Sequence, residues 1–148
     1  MPDIHIAAAT PADAPAILAL LEGSHLPTEG LLEHLATTIV AKDDRRVVGS
    51  AALEVYAGGA LLRSVAVDPE VRGMGLGHRL TDAAMARAVE LGVPALYLLT
   101  TTAERFFPKF GFSPISRQDV PDTVQTSIEF RSACPASAIV MHKPLTAR

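Results

Sequence analysis

Hydrophobic and polar positions change rhythm several times along the chain, and each change predicts an element. Ile4 and Ile6 alternate with polar neighbours, the two-residue period of a short strand. Thr10 followed by Pro11 supplies an N-cap and a proline at the first helical position. They open a helix carrying Ile17, Leu18, Leu20 and Leu21, which residues 23–27 break. Thr28 caps a second short helix with Leu31, Leu32 and Leu35 on one side. Leucine-rich faces of this kind read as core, so contact with a small molecule falls to the intervening loop, at residues such as Ser24 and His25.

Three strands joined by tight turns are expected next. Residues 37–42 form the first and Asp43-Asp44 its turn, residues 46–57 the second, and residues 60–67 the third, with Gly58-Gly59 as a two-residue hairpin loop. That loop pairs Ala57 with Ala60 and sets Glu54 opposite Arg63. Leu53, Val55, Leu62 and Ala66 then share one face of the sheet, and Glu54, Tyr56, Arg63 and Val65 the other. A long helix over about residues 74–91 follows, with Leu76, Leu80, Ala83, Ala84 and Leu91 at helical spacing and Gly92 as its stop. Pro94 precedes a short apolar run, residues 95–99, which reads as a buried strand and completes a right-handed βαβ unit. A short helix over 103–110, a strand from Gly111-Phe112 toward Ile115, an irregular or briefly helical stretch over 121–130 and a closing strand over 136–143 finish the pattern. No repeat or linker divides the chain, and 148 residues make one domain, 1–148.

Composition narrows the classes. A hydrophobic share of 49% with 20% charged residues describes a soluble globular chain rather than a disordered one. The net charge of −3 and pI near 5.9 argue against non-specific nucleic-acid binding. No apolar run reaches membrane-spanning length and the start lacks the layout of a signal peptide, so a cytoplasmic location is expected. The single cysteine, Cys134, excludes an intramolecular disulfide and, beside Pro135, reads as a buried small hydrophobe. His5, His25, His34, His78 and His142 have no metal-ligand spacing with it, so no metal is expected.

The chemistry concentrates in Arg72-Gly73-Met74-Gly75-Leu76-Gly77, which lies between a strand and a helix. Strand, glycine turn and helix entry build an anion cradle: glycines admit close backbone approach, and the free N–H groups of the helix point at the guest. A dinucleotide fingerprint fails because His78 stands at its third glycine position, and a P-loop fails because Gly77 is followed by His78 and Arg79. Arg/Gln-x-x-Gly-x-Gly/Ala fits, with Arg72, Gly75 and Gly77 at the named positions. With the preceding "SVAVDP" it resembles the acetyl-coenzyme A signature of the GNAT N-acetyltransferases, and "AERFFPKFGF" resembles that family's second motif. The element order is similar to the GNAT fold over almost the whole chain: α/β, a mixed, mostly antiparallel six- to seven-stranded sheet flanked by helices, with a parallel βαβ cofactor unit. The segments "TTTAERFF" and "EFRSACPASAIVMHKPL" resemble the arsenic-resistance N-acetyltransferase subgroup, with some similarity to small N-acetylglutamate-synthase-like enzymes.

The resemblance implies acetyl-CoA as co-substrate, no metal, a small-molecule amine acceptor and no nucleic-acid or membrane partner, with a homodimer left open. It gives the pantetheine arm to the backbone of Val65, Ala66 and Val67 and the diphosphate to Arg72, Gly73, Met74, Gly75, Leu76, Gly77 and His78. Phe107 falls where the family often has a tyrosine that protonates the departing thiolate; phenylalanine has no proton to give, and its ring is assigned to packing against the cofactor arm. Thr100, where the family often has asparagine, is the candidate replacement as a hydrogen-bond donor. For a base, the expected register favours Glu54, whose ordinary reading is a cross-strand pair with Arg63; Glu129 is the runner-up. Arg63 and Arg131 are assigned to an anionic substrate, since the guanidinium fork suits carboxylates and oxyanions of phosphorus or arsenic. Arg79, Arg105 and Lys109 lie near the cofactor segments, whereas Arg117 and Arg148 read as solvated surface charge. The expected acceptor is a small acidic amino-acid-like compound, an arsenical or phosphinate analogue in the subgroup reading and glutamate in the competing one. A peptide acceptor and a catalytically silent CoA-binding module are the alternatives.

Overall fold

The computed structural model describes residues 3–101, 103–133 and 137–145. Cys134 and Arg148, each weighed above, lie outside them. Seven strands form one sheet: β1 (Ile4–Ala8), β2 (Thr38–Asp43), β3 (Arg46–Tyr56), β4 (Gly59–Val67), β5 (Ala95–Thr100), β6 (Ser113–Pro114) and β7 (Ile139–Pro144). Their order is β1-β2-β3-β4-β5-β7-β6, and every pair is antiparallel except β4 with β5. Helix α1 (Ala14–Gly23) packs Ile17 and Leu21 on Val40, Ala52 and Ala66 of one face. On the opposite face, α2 (Leu76–Glu90) packs Leu76, Leu80, Ala84 and Ala88 against Leu53, Leu62, Leu96 and Leu98. Each of these fully buried leucines contributes roughly 1.5–3 kcal/mol of transfer free energy.

The expected elements are present with local corrections. Thr28 does not cap a helix; Gly30, at φ +80°, opens a 3-10 segment over Leu31–Thr37 that kinks at His34. The turn between β2 and β3 is Asp44-Arg45, one residue later than expected, with Asp44 at φ +57°. The helix expected over 103–110 shrinks to a 3-10 turn, Phe107–Phe110. Leu91, expected in the core, is 40% exposed and caps α2.

The β3–β4 hairpin is the instructive case. Its turn is Ala57-Gly58, so Tyr56 pairs with Gly59 and Glu54 with Leu61. Two adjacent glycines turn out to have different jobs. Gly58 takes φ +91° for the turn, whereas a Cβ on Gly59 would meet Tyr97 Cε2 at 2.7 Å. The slip is two residues, so Glu54 and Arg63 keep a common face and meet diagonally, Nη1 to Oε2 at 2.8 Å. Further along, β4 inserts one extra residue opposite Ala51, and Ser64 takes φ +61° there. This β-bulge reverses the alternation. Ala66 joins the α1 face with Arg63, while Val65 and Val67 pack toward α2, the reverse of the expected assignment.

Helix α1 ends in a Schellman motif: the Leu26 N–H donates to Leu21 O at 2.9 Å and the His25 N–H to Glu22 O at 3.2 Å. His25 occupies the left-handed position at φ +58°, where a side chain costs roughly 1–2 kcal/mol. We expect His25→Gly to raise stability by about 0.5–1 kcal/mol, since glycine's extra chain entropy offsets part of the relief. Thermal melts would check it, and a lowered Tm would contradict it.

Candidate functional site

Strands β4 and β5 pair only at Ala60 with Leu96 and at Leu61 with Tyr97. Beyond that point they splay, and Leu62 to Val67 on one side and Leu98 to Thr101 on the other line a cavity of about 820 Å³. The bulge at Ser64 lies on this diverging wall and Ser50 Oγ donates to Ser64 O at 2.7 Å, anchoring it to β3. The Asp68 N–H is spent on Val48 O in β3. By strand alternation the peptide groups of Val65 and Val67 therefore face the open side of β4.

The glycine turn closes one end of the cavity. Gly73 and Gly75 take φ +88° and +74°, and a Cβ on either would meet nothing within 4 Å. They are glycine for conformation, not for space. Gly75 is the N-cap of α2, and no side chain caps that terminus. The first N–H groups of the helix are thus left to a guest, with the dipole behind them. Gly77 and Arg72 line the cavity itself, and Arg72 Nε donates to Val67 O at 3.3 Å. Met74 is 42% exposed, Leu76 is buried in the core under α2, and His78 pairs with Asp82 at 3.0 Å on the surface.

Of the other residues singled out in the sequence, Thr100, Phe107, Arg63 and Glu129 line the cavity, as do Ser24 and His25. Thr100 Oγ1 accepts the Ala103 N–H at 2.8 Å, which fixes the hydroxyl. Phe107 is buried against Phe106 and Phe112. Glu54 and Arg131 are not among the lining residues; Arg131 is exposed in a π-helical turn, Glu129–Ala133. Lining residues not anticipated include Ser64 and Phe106. Phe106 adjoins Phe107 in the recognised motif and could have been named; nothing in the sequence marks a serine as a bulge.

Arg63 is buried and lines the β4 wall of the cavity. Nη1 donates to Glu29 O at 2.6 Å and to Glu54 Oε2 at 2.8 Å, and Nη2 donates to Pro27 O at 3.0 Å. Nε lies 3.0 Å from Ser64 Oγ and 3.1 Å from Glu129 Oε2. Glu54 also accepts from Tyr56 Oη at 2.5 Å and has His34 Nε2 at 3.8 Å. Burial pushes the Glu54 carboxyl up, but hydrogen bonds from Arg63, Tyr56 and Ser127 and the nearby His34 outweigh it and hold the carboxyl below the ordinary range. Burial, then the Glu54 hydrogen bond and charge, push the Tyr56 hydroxyl far above its ordinary value. Among the described residues no cluster of three His, Cys, Asp or Glu side chains is placed to hold a metal, and no helix is long and apolar enough to cross a membrane.

A splayed parallel pair facing a glycine-rich helix N-terminus defines an acyl-CoA type of site, and similarity to known proteins gives the chain a family. The Acetyltransferase (GNAT) domain model matches residues 34–114. An uncharacterized N-acetyltransferase of Chlorobaculum tepidum is 31% identical over 87% of this chain and 90% of its own length. The chain belongs to the GNAT acetyltransferase family. An amino-acid acetyltransferase of Pasteurella multocida is 33% identical over 77% of this chain, which spans only 28% of that protein. Among solved structures, N-acetylglutamate synthase from Neisseria gonorrhoeae, complexed with coenzyme A and N-acetyl-glutamate, superposes with a TM-score of 0.82 at 24% identity, over 99% of this chain and 36% of that one. Rv2747 from Mycobacterium tuberculosis, in complex with CoA, gives 0.81 at 26% identity over 96% and 99% of the two chains.

Proposed function

We propose that this protein transfers acetyl from acetyl-CoA to the primary amine of a small amino-acid-like compound. The observation that carries the proposal is the joining of two features in one cavity: the unpaired edge of β4 and the uncapped, glycine-led start of α2. Val65, Ala66 and Val67 form the strand that the pantetheine arm adds to, through main-chain bonds in the manner of β-augmentation. The turn from Arg72 to His78 takes the diphosphate, and Arg105 and Lys109, in a shallow depression adjoining the cavity, meet the remaining phosphate charge.

Acetyl-CoA, when bound, supplies an activated thioester. A backbone N–H on the β4 wall polarises the acetyl oxygen as negative charge develops there. Thr100 Oγ1 has one lone pair engaged by the Ala103 N–H, and its O–H donates a hydrogen bond to the sulfur as the C–S bond breaks. A threonine hydroxyl is a weak acid, so this is hydrogen-bond stabilisation of the thiolate, with water delivering the proton. Phe107 fills the wall beside it without taking part. Phe107→Tyr is therefore expected to keep full activity and to raise kcat wherever thiolate departure limits turnover. Thiol-release assays would read this, and a folded but inactive variant would mean the added hydroxyl occupies space the reactants need.

The acceptor class rests on likeness to amino-acid acetyltransferases. Arg131, exposed two residues beyond Glu129, is assigned to an acidic group of the acceptor. Thiol release with glutamate, glutamine, a phosphinate amino acid and its arsenical analogue side by side tests the class. Turnover of glutamate and glutamine alone sets the arsenical reading aside. Preference for polyamines or peptide N-termini would overturn the amino-acid reading, and CoA binding without turnover of any amine would make the protein a CoA-binding module.

A further inference from the structure

A buried cation between two carboxylates is costly to build, and nothing in the acetyl-transfer reading requires one. Arg63 joins four separate stretches of chain. It rises from β4, meets Glu54 on β3, takes the carbonyls of Pro27 and Glu29 from the loop after α1, and lies 3.1 Å from Glu129 in the C-terminal segment. Its side chain is fully buried and those of Glu54 and Glu129 are 0% and 5% exposed. Of the two carboxylates only Glu129 lines the cavity. Arg63 lines it too, so an ion pair faces the cavity, and with all three groups ionised the trio carries a net charge of −1.

Resting on the acetyl-transfer reading, we propose that Arg63 is a positioning residue rather than a receptor for the substrate's acid: it ties the 27–29 loop and Glu129 to β4, so that Glu129 receives the acceptor's ammonium. Glu54 anchors the far end of the guanidinium and does not meet the acceptor. The acceptor therefore enters as a cation at its reacting nitrogen. Glu129 takes one ammonium proton, the freed lone pair forms the C–N bond to the acetyl carbon as the C–S bond breaks, the second proton leaves the new N-protonated amide to solvent, and the departing sulfur receives a proton from solvent. Arginine suits the post because its planar fork reaches several acceptors in fixed directions, which a lysine ammonium on a flexible stem does not.

Calorimetry on the CoA-loaded protein with L-glutamate, L-glutamine and L-lysine reads amine binding without turnover. Glu129→Gln keeps the shape and removes the charge; amine affinity is expected to fall at least about tenfold, with CoA affinity within about twofold of wild type. Arg63→Lys is expected to lower Tm and, in the protein that remains folded, to weaken amine binding by a similar factor. The double variant is expected to bind amine no worse than Glu129→Gln, because Arg63 acts through Glu129. A purely structural arginine would lower Tm and leave the amine affinity of the folded protein intact. Unchanged amine affinity in Glu129→Gln, additive losses in the double variant, or CoA binding with no amine bound by wild type would each overturn the inference while leaving the CoA site standing. Failure of wild type to bind CoA would bring down the acetyl-transfer reading itself, and this inference with it.

Discussion

Valine at both Gly75 and Gly77 is expected to weaken CoA binding by about a hundredfold or more in a protein that still folds. Gly75 sits at φ +74°, a region closed to a β-branched residue without strain, so the turn must shift and carry the first N–H groups of α2 off their aim. Gly77 lines the cavity, and its added Cβ would lie 3.7 Å from Phe106 and 3.8 Å from Val67, ordinary contacts that leave the empty protein unstrained. The further methyls of valine then occupy room the cofactor needs. Losing two charge-assisted bonds of about 1.5–3 kcal/mol each accounts for the factor. Titration calorimetry reads the affinity and circular dichroism the fold. Wild-type affinity in a folded double variant would remove the glycine turn from the site.

The second large effect is on stability. Glu54→Ala should cost about 3–5 kcal/mol, the range for breaking a buried ion pair from one side, because Arg63 keeps its charge and loses the carboxylate of its two Nη1 acceptors, at 2.8 Å. Tyr56 loses its acceptor in the same substitution. Denaturant melts of wild type and variant would measure the difference, and a cost below about 1 kcal/mol would mean that solvent or another acceptor repairs the cluster. The pH dependence has a definite sign. The Glu54 carboxyl titrates lower in the folded protein than its free value of 4.5, so its contribution is complete above that pH and is lost as pH falls through the folded value. Tyr56 behaves oppositely: its folded value is raised above 10, so its contribution is present below pH 10 and is lost in stronger alkali. The gap between wild type and Glu54→Ala should therefore narrow at both extremes.

Much of this was legible in the residues. Periodicity marked the strands, the long helix and the βαβ unit, because each buries a face whose spacing the sequence must carry. The glycine turn was legible because positive φ and a close-approaching ligand ask for the same residue. What escaped was geometry that leaves no compositional trace. A left-handed serine at residue 64 reversed Val65 and Ala66, and a left-handed histidine at residue 25 stood where glycine is customary. Arg63 and Glu54 were paired correctly, from a register two residues out, since a two-residue slip preserves the face. The contact between Arg63 and Glu129 spans 66 positions of sequence, too far for any local pattern to announce.

The splay between β4 and β5 also divides the sheet, and α2 packs across both halves. Strands β1 to β4 and strands β5 to β7 are two half-sheets whose shared ladder is two residue pairs long. A guest laid along the gap, as proposed for the pantetheine arm, would supply the missing rungs and act as a removable eighth strand as well as a reactant. At a concentration of one hundred times its dissociation constant, such a guest adds about 2.7 kcal/mol to the folded state. Acyl-CoA supply would then govern how long the chain survives as well as how fast it turns over, and starvation for the cofactor would loosen the fold along a single seam.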